Sequence, residues 1–78
     1  MRINFHNDIN RVTDFVRICS AFQDEVDVKA GHYVIDGKSL LGMISICTRP
    51  DLDVKILTTN HEAQEDFRDA IRDFIVGE

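Results

Sequence analysis

Two cysteines, Cys19 and Cys47, are too few for a disulfide framework and lack the spacing of metal ligands. The three histidines, His6, His32 and His61, stand singly, so no metal site is expected. No apolar run approaches the ~20 residues needed to cross a bilayer. The first ten residues, MRINFHNDIN, lack the apolar core of a signal peptide. A cytoplasmic protein with reduced thiols is the expectation. Clustered basic residues are also missing. Nine Lys and Arg are scattered among 14 Asp and Glu, for a net charge of -5. That balance argues against a nucleic-acid groove and against an anionic membrane surface. There are no repeats, linkers or low-complexity segments.

The chain has 78 residues, 44% of them hydrophobic. That suffices for one folded domain, residues 1–78, and is too apolar for disorder. A chain this short buries only about 60% of the surface its unfolded form exposes. A deep catalytic cleft beside a core has no room, so the chain is not expected to be an enzyme. Any chemistry would sit on the surface or be completed by a partner.

Residues 2–6 alternate polar and apolar, the mark of a strand with one covered face. Asn7 and Asp8 follow, and either suits a helix N-cap. Ile9, Val12, Phe15, Val16, Cys19 and Phe22 then fall on one helical stripe, with Asp14 and Arg17 spaced to pair on the wet side. Residues 26–28 alternate again, Gly31 marks a turn or bulge, and residues 32–36 read as the returning strand. Asp36-Gly37 leads to Ser39, a candidate N-cap for a short helix. Gly42 inside that helix costs about 1 kcal/mol relative to Ala, which predicts a close backbone approach or a bend. Pro50 disfavours a helical residue before it. Residues 52–58 alternate as a strand. Thr59 and Glu62 fit a capping box for a last helix lined by Ala63, Phe67, Ala70, Ile71, Phe74 and Ile75, with Gly77 suited to end it. The order is βαββαβα. It predicts an α+β open-faced sandwich, a four-stranded antiparallel sheet with three helices on one face.

That order, with Phe15-Val16-Arg17, Val26-Asp27-Val28, Lys38-Ser39-Leu40-Leu41-Gly42 and the capped acidic start of the last helix, resembles the HPr family. These are small phosphocarrier proteins of the bacterial sugar phosphotransferase system, with regulatory paralogues. The most specific piece is Lys38-Ser39-Leu40-Leu41-Gly42, which resembles the family's K-S-[IL]-[ML]-G signature. The family's active-site motif, G-L-H-[AT]-R-P-A, lies where the first strand meets the first helix. Counting back from Phe15, Asp8 stands at the phosphohistidine position, Asn10 at the arginine and Arg11 at the proline. An imidazole accepts phosphoryl as a nitrogen nucleophile. A carboxylate there repels phosphate and suits a helix start.

Each candidate has two readings. Asp8 is a helix cap or an acyl-phosphate acceptor, and the latter usually needs a divalent cation and further carboxylates that are not evident here. His6 is an ordinary surface histidine or, by a register slip, the phosphoacceptor. Ser39 caps the short helix, and the resemblance makes it the counterpart of the family's regulatory phosphoserine, with Lys38 placed to pair with a phosphate. At 100° per residue Met43 and Ile46 share one side, while Leu40, Leu41 and Ile44 spread toward another. Those three are core, a homodimer contact or a docking face for a protein partner. The expectation is a regulatory or protein-interaction module without a catalytic residue. It would dock through Leu40, Leu41 and Ile44 beside Asp8 and Arg11, with Ser39 as a phosphorylation switch and no cofactor. The alternatives are an atypical histidine phosphocarrier and a small ligand-binding or oligomerising α+β domain.

Overall fold

Alternation along the strands builds the sheet. The computed structural model describes residues 1–77. Its elements are β1 (Arg2–Ile3), α1 (Ile9–Ser20), β2 (Val26–Ala30), β3 (Tyr33–Asp36), α2 (Leu40–Ser45), β4 (Leu52–Ile56), α3 (His61–Ala70), a 3-10 turn (Arg72–Phe74) and β5 (Ile75–Gly77). All pairings are antiparallel, in the order β3-β2-β4-β1-β5. One face carries Ile3, Val26, Val28, Ala30, Leu52, Val54 and Ile56, all buried beneath the helices.

The other face is open and charged. Asp27 stands opposite Asp36 of β3, and the other directly opposed charges have opposite signs: Asp27 with Lys55, Lys29 with Asp53, and Arg2 with Asp53. Cross-strand pairs of this kind stabilise a wet face and leave it little net field. The Met1 ammonium lies 2.7 Å from Asp53 Oδ1. That bond, with Arg2 and Lys29 nearby, holds the Asp53 carboxyl below the usual carboxylate range.

The helices follow their patterns. α1 buries Val12, Phe15 and Cys19, and Asp14 pairs with Arg17 at 3.1 Å. Ile9, expected on the buried stripe, is 52% exposed because it opens the helix beyond the edge of the core. Phe5, Phe15 and Phe74 meet edge to face, with centroids 5.1 to 6.1 Å apart. Such pairs contribute about 0.5–1.5 kcal/mol each beyond their burial. α2 turns Met43 and Ile46 into this core.

Four expectations are corrected. The sheet has five strands, not four. The last helix ends at Ala70 and not beyond Ile75: the chain tightens into one 3-10 turn, Phe74 plugs the core, and Ile75–Gly77 lies beside β1. The cap of that helix is Asn60 rather than Thr59, because Asn60 Oδ1 accepts from both Glu62 N and Ala63 N at 2.9 and 3.3 Å. β1 is two residues long, although Phe5 beyond it remains fully buried.

Gly42 permits the approach its position suggests. A Cβ there would lie 2.5 Å from Ile35 Cγ2, on β3. Gly42→Ala gains about 1 kcal/mol of helix propensity and meets an overpacking cost of about 1–3 kcal/mol. Urea unfolding should show a net loss of about 1 kcal/mol, the balance of these two effects. A more stable variant would show that β3 and α2 are not packed this closely.

Candidate functional site

The junction of β1 and α1 is made by a tight turn. His6 and Asn7 both have φ of 53°, and Asp8 N–H donates to the Phe5 carbonyl at 3.0 Å. Positive φ at both central residues defines a type I′ turn, which ordinarily selects Asn-Gly. Here His-Asn fills it, and Asn4 Oδ1 takes the His6 N–H at 2.7 Å. Asn is among the few side chains that tolerate the left-handed region. His6, Asn7 and Asp8 are all exposed.

Asp8 caps α1. Its backbone is extended, and its Oδ1 accepts from Asn10 N–H at 2.9 Å. An open helix start is an anion site, because free N–H groups and the helix dipole point at it. The protein's own carboxylate fills that site. Arg11, one turn in, is half-buried and turned inward. Its guanidinium donates to the carbonyls of Asn4 at 2.9 Å and Asp73 at 3.1 Å. It lies 4.7 Å above the Phe74 ring, a cation–π contact. Arg11 therefore ties the turn to the 3-10 segment, and its cation is directed away from the exposed corner.

α2 runs antiparallel to α1. Cys47 Sγ, just past α2, sits 3.8 Å from Asn7 Oδ1. At the other end Lys38 Nζ donates to the Phe22 carbonyl at 2.7 Å, closing the end of α1. Asp8 and Ser39 thus lie at opposite ends of the helix pair. Ser39 Oγ accepts from Gly42 N–H at 3.1 Å, the capping contact its position predicts. Lys38 is held on Phe22 rather than extended over Ser39.

Apolar side chains are exposed on both helices. Leu41 is 82% exposed, Leu40 43% and Ile9 52%, while Ile44 is half-buried against the core. Ile9 is the member that helical periodicity conceals. Its place at the first position of α1, directly after a cap, is the signal that separates it from the stripe. Cys19 is packed in the core, and burial pushes its thiol up to about 12. Such a thiol is inert as a nucleophile. Among the described residues no group of His, Cys, Asp and Glu has the arrangement to hold a metal ion, and no helix is long and apolar enough to cross a membrane. A cleft of about 390 Å³ between β4 and α3, lined by residues that include Val54, Ile56, His61 and Gln64, involves neither Asp8 nor Ser39.

A family model described as the PTS HPr component phosphorylation site matches residues 9–76. The match begins one residue past Asp8. No curated protein and no solved structure matches the chain.

Gly at the second central position suits a type I′ turn better than Asn. Asn7→Gly relieves the positive φ at this position but frees the unfolded chain, which opposes the gain by about 0.4–1 kcal/mol, so the unfolding free energy should change by no more than about 0.5 kcal/mol. A clear loss in chemical denaturation would show that the Asn7 side chain, through its contact with Cys47, holds the turn more strongly than its backbone strains it.

Proposed function

The chain belongs to the HPr family, and we propose that it is an interaction or regulatory module of the phosphotransferase system rather than a phosphoryl relay. One observation carries this reading: the Asp8 carboxylate occupies the amide site at the start of α1. A phosphoryl group held there needs free N–H donors and a nearby cation. Like unit charges 4 Å apart repel by about 1 kcal/mol even in bulk water, and more where water is displaced. Asn10 offers no positive charge at the position where the family has arginine. Arg11 is engaged with Asn4 and Asp73.

What remains is a surface suited to grip. Leu40 and Leu41 are exposed on α2, with Ile44 half-buried on the same helix, next to the Ser39 cap. A protein partner of the phosphotransferase system, or one regulated by it, would bury Leu41 at the centre of the contact. Ser39 sits on the rim. Phosphorylation there would add close to two negative charges beside Leu40 and weaken or redirect an apolar contact. Lys38 would exchange the Phe22 carbonyl for the phosphate. The setting of such a module is the cytoplasm.

A second reading is favoured by one feature, the exposed His6 on the turn that precedes the cap. It makes His6 the phosphoacceptor of an atypical carrier. Incubation with phosphoenolpyruvate and the first enzyme of the phosphotransferase system separates the two. The interaction module acquires no acid-labile, base-stable phosphoryl group. A phosphoryl group that appears on the chain and is lost in His6→Ala would establish the carrier.

Leu41→Asp tests the docking face. With 82% of Leu41 exposed, circular dichroism should be unchanged. Affinity for a partner should fall by tenfold or more, as for a central apolar contact. Undiminished binding of every specific partner would overturn the proposed face.

A further inference from the structure

The edge of the sheet at β3 has the properties of a self-pairing strand. β3 pairs with β2 alone. Two hydrogen bonds set the direction of every backbone group along it. Leu57 N–H donates to the Glu25 carbonyl at 2.8 Å, so odd-numbered residues at this end of β2 face β4. Gly37 N–H donates to the Val26 carbonyl at 2.7 Å, so even-numbered ones face β3. Antiparallel ladders alternate strictly. In the register Val28 with Ile35 and Ala30 with Tyr33, Ile35 and Tyr33 therefore spend their backbone groups on β2. Val34 and Asp36 direct theirs outward. The Asp36 carbonyl accepts from Ser39 N–H at 3.0 Å. Val34 is left with both an outward N–H and an outward carbonyl.

This edge is lightly guarded, by its four-residue length and by Asp36. Tyr33 is 69% and Val34 62% exposed, and both residue types favour strands. Residues 33–36 contain no proline and no lysine, and the β2–β3 register runs without a bulge. The opposite edge, β5, is three residues long and has a register shift against β1. Proteins blunt exposed edges with such devices. β5 combines shortness with an irregular register, whereas β3, four residues long and ending in Asp36, keeps a regular register.

The geometry points to a second copy of this chain as the occupant of the β3 edge, paired antiparallel about a two-fold axis at Val34. A two-fold axis at a hydrogen-bonded pair requires its residue to offer both backbone groups outward, and Val34 does. The register then follows. Val34 lies against Val34 of the second copy, exchanging two N–H to carbonyl bonds. Tyr33 lies against Ile35, apolar on apolar. His32 comes opposite Asp36, an imidazole against a carboxylate. Each opposed pair is compatible in polarity, as a self-complementary C2 interface requires. The two sheets become one continuous sheet of ten strands, five from each chain. The contact is short, so it falls below the standard interface class and has a Kd of roughly 10 µM to 1 mM.

Sedimentation equilibrium across the micromolar-to-millimolar range tests this. The intact protein should pass from its 8.9 kDa mass to twice that mass as concentration rises. Val34→Pro removes only an outward N–H, which a folded edge strand tolerates. It should keep the native circular dichroism and raise the dimer Kd by about tenfold or more. Mild oxidation gives a second readout. Val34→Cys should form an intermolecular disulfide, since opposed Cα atoms in a hydrogen-bonded pair lie about 5.5 Å apart. Thr13→Cys, exposed on α1, should not. A single-chain mass at millimolar concentration, or equal cross-linking of the two cysteine variants, would overturn the proposal.

Discussion

Asp8 Oδ1 lies 2.9 Å from the Asn10 amide, and both the fold at that corner and its chemistry follow from this contact. A helix start leaves N–H groups without partners, and something must meet them. In a phosphocarrier that need is an opportunity, because a transferred phosphoryl group is a good partner. Here the chain meets the need itself. The preceding I′ turn, closed by Asp8 N–H on the Phe5 carbonyl, brings the carboxylate into place directly after the buried Phe5. Phe5 is in turn locked by Phe15 and Phe74. The cap is therefore anchored in the core and is not a loose surface contact.

The same anchoring directs Arg11. A guanidinium so close to a helix start would ordinarily be available to an anion. Instead it bridges the carbonyls of Asn4 and Asp73 over the Phe74 ring, which helps the chain turn from α3 into β5. Arg11 thereby holds the segment before α1 to the segment after α3. At the opposite end of the helix pair, Lys38 plays a comparable part by closing α1 at Phe22. Both helix ends are thus occupied by the protein's own groups. The surface still unsatisfied is apolar: Ile9, Leu40 and Leu41 on the helices, and Tyr33 and Val34 at the sheet edge.

Much of this was legible in residue order. Period-two alternation marks β2 and β4 because one face of each is dry and the other wet. Asp8 and Ser39 are visible as caps because a short acceptor side chain precedes a helical pattern in each case. Gly42 in a short helix signals the contact with Ile35. The misses share a cause. Ile71, Phe74 and Ile75 have a spacing that fits a helix, and only the pairing of Ile75–Gly77 with β1, more than seventy residues away in the chain, makes that segment a strand. Asn60 and Thr59 are equally good caps locally. Thr58 Oγ1, which takes the Asn60 N–H at 3.1 Å, accompanies the choice of Asn60. The inward turn of Arg11 and the outward backbone of Val34 depend on partners distant in sequence, which no local pattern encodes.

The central claim is that the anion site at the start of α1 is filled from within. The most direct measurement is a titration with inorganic phosphate, followed at the backbone amides of Ile9, Asn10 and Arg11 by nitrogen–proton correlation spectra. Asp8→Ala, which frees the Asn10 N–H, serves as the comparison. The account predicts no saturable shift of these amides in the intact protein and a measurable one in Asp8→Ala. Saturable phosphate binding at the Asn10 amide with Asp8 in place would contradict it.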